Sequence, residues 1–115
     1  MALGSTQAKL RSGGFHAKDP SARLQREIAR LCRFRLLPRA ISMQTDGVLM
    51  VLCDGKARFM FIRSVYSRVD RLDTDRLDAL CALGFDAVLV RTIEDALVWF
   101  GEWDLLRKTE SGGPG

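Results

Sequence analysis

Apolar and polar positions change their period several times along the chain. In "DPSARLQREIARLCRFRLL", Leu24, Ile28, Leu31 and Cys32 recur at helical spacing, with Asp19 placed as N-cap and Pro20 at the first helical position. Three strand signals follow, "RAISMQ", "VLMVLC" and "ARFMFIRSV". They are separated by Asp46-Gly47 and Asp54-Gly55, pairs suited to tight hairpin turns. "VLMVLC" and "FMFI" are apolar at every position, which predicts central strands in a sheet covered on both sides. Helical spacing returns in "DTDRLDALCALGF", with Asp73 as N-cap, Leu77, Leu80 and Cys81 as the inner face and Gly84 as the stop. "DAVLVR" reads as a fourth strand. A strand–helix–strand crossover makes the third and fourth strands parallel. "TIEDALVWFGEW" closes the pattern as a helix, with Thr92 capping toward Asp95 and Ile93, Ala96, Leu97 and Phe100 facing inward. The order α-β-β-β-α-β-α predicts an α/β sandwich with a mixed four-stranded sheet and helices on both faces.

Domain organisation is simple at a length of 115 residues. Residues 1–17, rich in Gly, Ser and Lys, are expected to form a flexible leader. Residues 18–107 form the single domain, and residues 108–115 a disordered tail. The N-terminal stretch has no apolar signal-peptide region, and no apolar run approaches the roughly 18 residues of a membrane span. A cytoplasmic protein without membrane contact is expected, in a bacterial host cell if the source is viral. Cys32, Cys53 and Cys81 lack metal-ligand spacing and read as small buried hydrophobes. A single histidine, His16, leaves too few ligands for a zinc site.

Charge changes the picture. Residues 1–68 hold thirteen Lys and Arg against four Asp and Glu, a net of +9; residues 69–115 hold five against ten, a net of −5. Such a split predicts a bipolar surface whose basic part could meet nucleic acid or an acidic protein. On the first helix Arg23, Arg26, Arg30 and Arg33 fall within an arc of about 80° at 100° per residue. This stripe is either a solvated face or a set of phosphate contacts, for which arginine is the better suited cation. Asp73/Asp75 and Glu94/Asp95 lie in first helical turns, where carboxylates oppose the helix dipole, so capping accounts for them. Trp99 and Trp103, four apart on the last helix, are read either as core or as an exposed pair marking a protein interface.

The stretches "ARFMFIRSV", "DRLDTDR" and "LDALCALGFDAVLVRTIEDAL" resemble the VRR-NUC domain, a branch of the restriction-endonuclease-like nucleases. The family patterns are "GRFxxxExK", "GRLSPEQ" and "GxxxxVVRSxEDAL". The register runs without a gap from Arg58 to Leu97. The resemblance implies a nuclease-like fold, a divalent metal held by an Asp and a Glu, and a Lys supporting the attacking water. Here the Glu position is Arg63, the Lys position is Val65, and the glutamine of "SPEQ" is Arg76. Asp46 is the single candidate for the metal-binding Asp. An arginine cannot ligate Mg²⁺ and repels it, so the resemblance implies a degenerate site.

Arg63 in "FMFIRSV" then either fills the vacated pocket, paired with Asp46 or another carboxylate, or binds phosphate together with Arg68, Arg71 and Arg91. The leading expectation is a non-catalytic, nuclease-fold protein that binds DNA or RNA through Arg23, Arg26, Arg30, Arg33, Arg63, Arg68, Arg71 and Arg91. It needs no cofactor and could act as a homodimer. A second expectation is a phage or mobile-element module that inhibits a host nucleoprotein, with Trp99 and Trp103 at the interface. A third is an active nuclease with Mg²⁺ and Asp46.

Overall fold

The computed structural model describes residues 20–108. In chain order the elements are α1 (Pro20–Arg35), β1 (Ile41–Thr45), β2 (Val48–Cys53), β3 (Lys56–Ile62), α2 (Arg71–Ala82), β4 (Asp86–Val90) and α3 (Ile93–Glu102). The expected order α-β-β-β-α-β-α is observed. The expected cap Asp19, the leader 1–17 with His16, and residues 109–115 of the tail lie outside the described residues.

Both Asp-Gly pairs make the two-residue turns that the pattern predicts. Asp46 and Gly47 have φ of 51° and 75°, and Asp54 and Gly55 have φ of 54° and 78°. Positive φ at both central residues matches the twist of the strands the turn joins. The sheet order is β1-β2-β3-β4. β1 pairs antiparallel with β2, β2 antiparallel with β3, and β3 parallel with β4. The fold is thus α/β with a mixed four-stranded sheet.

One face of the sheet carries the main core. Leu49 and Val51 of β2, Met60 and Ile62 of β3 and Val90 of β4 pack with Leu24 and Ile28 of α1 and with Ala96 and Phe100 of α3. Of the inward positions expected on α1 and α3, Leu24, Ile28, Leu31, Cys32, Ile93, Ala96 and Phe100 join this core, while Leu97 is half-buried outside it. After α3 the chain turns back along the connection that follows α1. Leu37 N–H donates to Leu105 O (2.8 Å), Arg107 N–H donates to Arg35 O (2.8 Å), and Leu36 and Leu105 are both buried.

The opposite face is only partly covered. α2 packs against β4, and Phe61 and Ala87 are buried there, with Phe59 edge-on to Phe85 at 5.5 Å. Over β1 and β2 this face stays open, with Ile41 58% and Met43 47% exposed. Burial along β2 alternates strictly, so the expectation of a strand covered on both sides is corrected: Leu49, Val51 and Cys53 are buried, while Val48, Met50 and Leu52 are not. An uninterrupted apolar run fixes which residues can be buried; it does not supply a layer to bury them.

Two details at α2 also differ from expectation. Its N-cap is Asp70, not Asp73. Asp70 Oδ1 accepts from Asp73 N–H at 2.9 Å, and the Asp73 carboxylate reaches back to Asp70 N–H, closing a reciprocal box. Cys81 is exposed and Cys32 half-buried, leaving Cys53 as the one buried thiol among the described residues. The C-terminus of α2 ends as predicted at Gly84, φ 96°, with Phe85 N–H donating to Leu80 O and Gly84 N–H to Cys81 O.

Candidate nucleic-acid interface

The arginines singled out in the sequence separate into two groups. Arg63 and Arg91 stand at the ends of the two parallel strands. Arg23, Arg26, Arg30 and Arg33 stand on α1.

Arg63 follows directly on β3, and its guanidinium turns toward the first turn of α2. Nε donates to Asp73 Oδ2 at 2.9 Å and Nη2 to Asp73 Oδ1 at 2.7 Å, a bidentate ion pair. Nη1 donates to Gly47 O at 3.1 Å and Ile62 O at 2.8 Å. The pair is mostly out of water, with side chains 17% and 10% exposed. Hydrogen bonding from Arg63 holds the Asp73 carboxyl below the usual carboxylate range, against the opposing effect of burial. Arg63 therefore pairs with Asp73 and not with Asp46. Asp46 lines the same cleft, about 420 Å³ between Ser21, Gln25, Gly47, Arg63 and Ser67, and makes no ion pair among the described residues. Its place is set by the hairpin turn.

Arg91 follows β4 and lies against the loop after β3. Its Nε donates to Arg63 O at 2.7 Å, and Nη2 donates to Ser64 O and Ser67 O at 2.9 and 3.0 Å. It holds three carbonyls that no strand satisfies. Ser21, in the first turn of α1, bonds the same loop: its Oγ accepts from Ser64 N–H at 3.1 Å and meets Ser67 Oγ at 2.6 Å. The loop after β3 is thus clamped by Arg63, Arg91 and Ser21. No sequence pattern pointed to Ser21 or to the carbonyl contacts of Arg91. Asp73 was legible as an acid in a first helical turn, though not as the partner of Arg63.

Gly47 makes this packing possible. A Cβ there would lie 2.5 Å from Arg63 Nη1 and 2.9 Å from Gln25 Nε2, on a backbone with φ of 75°. Gly47→Ala is expected to destabilise the fold by about 1–2 kcal/mol, from the left-handed backbone and the displaced guanidinium. Chemical denaturation measures the loss, and the same change at Gly55, where nothing lies within 4 Å of the added Cβ, isolates the backbone share.

The α1 stripe is arranged differently. Arg23, Arg26, Arg30 and Arg33 are all exposed and, with Ala29 and Glu27, line an open groove of about 640 Å³. Arg23 approaches Glu27 at 3.4 Å, while Arg26, Arg30 and Arg33 have no carboxylate partner among the described residues. Arg68 and Arg71 are also exposed, with Arg71 4.0 Å from Asp75. Trp103 belongs to the core at 9% exposure, with Arg58 stacked 5.7 Å from its ring centroid. Trp99 is half-buried beside it, ring centroids 5.8 Å apart. Of the two readings of this pair, core packing is the one observed, with Trp103 inside and Trp99 at the border.

No group of three or more potential metal-ligating side chains occurs among the described residues, and no helix among them is long and apolar enough to cross a membrane. Comparison with protein-family models, curated proteins and solved structures finds no match.

Proposed function

We propose that this chain is a non-catalytic nucleic-acid-binding protein built on a nuclease-like fold. The element order with β3 and β4 parallel is what a restriction-endonuclease-like topology requires, and it supports that reading. The observation that carries the function is the row of Arg26, Arg30 and Arg33, exposed on one helix face without carboxylate partners among the described residues. Guanidinium groups spaced along a helix meet successive phosphates of a backbone, and such contacts position a protein without reading sequence. Arg68, between β3 and α2, and Arg71, the first residue of α2, are exposed and extend the contact.

Arg63 and Arg91 take structural parts in this reading. Four of the five Arg63 donors are committed to Asp73 and to carbonyls, and a cation stands where the resembling family has its metal-binding Glu. A labelled duplex or single strand of DNA or RNA, titrated by fluorescence anisotropy with Mg²⁺ at roughly 50 and 200 mM salt, tests the proposal. Tight binding that weakens steeply with salt, with the probe intact afterwards, is expected. Absence of binding at low salt refutes it, and cleavage lost on Asp46→Ala would restore an active nuclease.

A further inference from the structure

We propose that the free edge of β1 accepts an extended segment of another protein as a fifth strand, and that this segment alternates acidic with apolar residues. The inference does not depend on nucleic-acid binding. β1 pairs with β2 alone. In the hairpin closed by Thr45 and Val48, the residues Ile41, Met43 and Thr45 direct their backbone groups toward β2. Ser42 and Gln44 therefore direct theirs outward. The exposed edge carries no proline, bulge or lysine, the usual devices that block strand addition.

The two sides of this edge differ in chemistry. On the core side, Ser42 and Gln44 border a groove of about 450 Å³ against α1, and Gln44 Nε2 donates to Gln25 O. Arg33 and Arg107 line this groove, and no Asp or Glu does. On the open side stand Ile41 and Met43, both exposed, next to Met50 and Leu52 of β2. A strand added to β1 would place the residues opposite Ser42 and Gln44 on the arginine side. The residue between them would fall beside Met43 on the apolar side. Acid at the first set and an apolar residue at the second satisfy both walls at once, and main-chain bonds to Ser42 and Gln44 supply the register.

Charge also selects the occupant. A second copy pairing β1 to β1 about a two-fold axis would set each α1 arginine row against the other. Residues 1–18 of this chain carry Lys9, Arg11 and Lys18 and no carboxylate, and residues 109–115 contain no apolar residue beyond proline and glycine. None of these matches the groove, whereas an acidic partner chain complements Arg33 and Arg107.

The test uses the full-length protein and a short labelled peptide alternating glutamate with isoleucine and valine. Two controls carry lysine for glutamate, or the same residues sorted into an acidic and an apolar block. Anisotropy gives the affinities, and amide hydrogen exchange locates the site. The alternating peptide is expected to bind at least about tenfold tighter than either control, with new protection at the Ser42 and Gln44 amides. Ser42→Pro removes an outward N–H at an edge position where proline is tolerated, and Arg33→Glu reverses the groove charge without touching the strand. Each is expected to weaken binding about tenfold or more. Equal affinity for the block peptide, protection elsewhere, or indifference to Arg33→Glu overturns the proposal. So does protection of Ser42 and Gln44 that grows with protein concentration without peptide, which would make a second copy the occupant.

Discussion

Asp73→Ala is expected to destabilise the fold by about 3 kcal/mol or more, the cost of removing one partner of a buried ion pair. The loss goes beyond a pairwise attraction. The substitution leaves the Arg63 guanidinium mostly out of water, with the two donors that met Asp73 unmet and two others on Gly47 O and Ile62 O. It also opens the capping box, since the Asp73 carboxylate accepts from Asp70 N–H. Arg63→Ala should cost a similar amount by stranding the carboxylate. Asp73→Ala and Arg63→Ala combined should cost much less than the sum of the two single losses, because the desolvation cost vanishes with the pair. Urea denaturation of the four proteins forms a double-mutant cycle. Additive losses would show that the two residues act independently, against the bidentate geometry.

The same pair has a pH signature. The folded Asp73 carboxyl titrates below the value of about 3.9 that it has in the unfolded chain. Its contribution is therefore fully present above that unfolded value and is lost as pH falls through the lower folded one. Stability measured between neutral and strongly acid pH should fall less for Asp73→Asn than for the wild type. An unchanged acid limb would remove Asp73 as its source.

Substituting Arg26, Arg30 and Arg33 together by alanine is the second large effect. If each meets one phosphate of a duplex, the slope of log affinity against log salt becomes shallower by about 0.9 per residue, nearly 3 in all. That slope translates into a loss on the order of a thousandfold at roughly 50 mM salt and a hundredfold at 200 mM. Fold stability should change by less than about 0.5 kcal/mol, because the side chains lie on the surface and anchor nothing. The stripe is thus separable from the fold, unlike Arg63 and Arg91, whose replacement would confound binding with folding. A triple variant that keeps both affinity and salt slope would leave the stripe as a solvated face.

Much of the architecture was legible because local chemistry and global fold agree. Asp46-Gly47 and Asp54-Gly55 dictate two tight turns, Gly84 ends a helix, and Thr92 starts one with its hydroxyl accepting from Asp95 N–H at 3.1 Å. What escaped depends on distances in space. Asp70 and Asp73 are equally good caps by composition, and only the box in which both take part decides between them. Arg63 could meet any carboxylate the fold brought near, and the crossover brings the first turn of α2 to the end of β3. The open face over β1 and β2 was misread because "VLMVLC" records the strand's own side chains and not the layer above them. The stripe of α1 was readable in full, since an exposed helix face is a property of spacing alone.

The return of residues 105–107 along the end of α1 has a consequence for biosynthesis. Arg107 Nε donates to Leu36 O across 71 positions of sequence, and the bridge between Leu36 and Leu106 spans nearly as much. The three-stranded meander closes through neighbours and can form early, while the seam that seals Leu36 and Leu105 joins almost the first described element to the last. On the ribosome α1 therefore waits, its lower end unsealed, until nearly the whole domain has cleared the exit tunnel. Residues 105–107 then complete the core that α1 began.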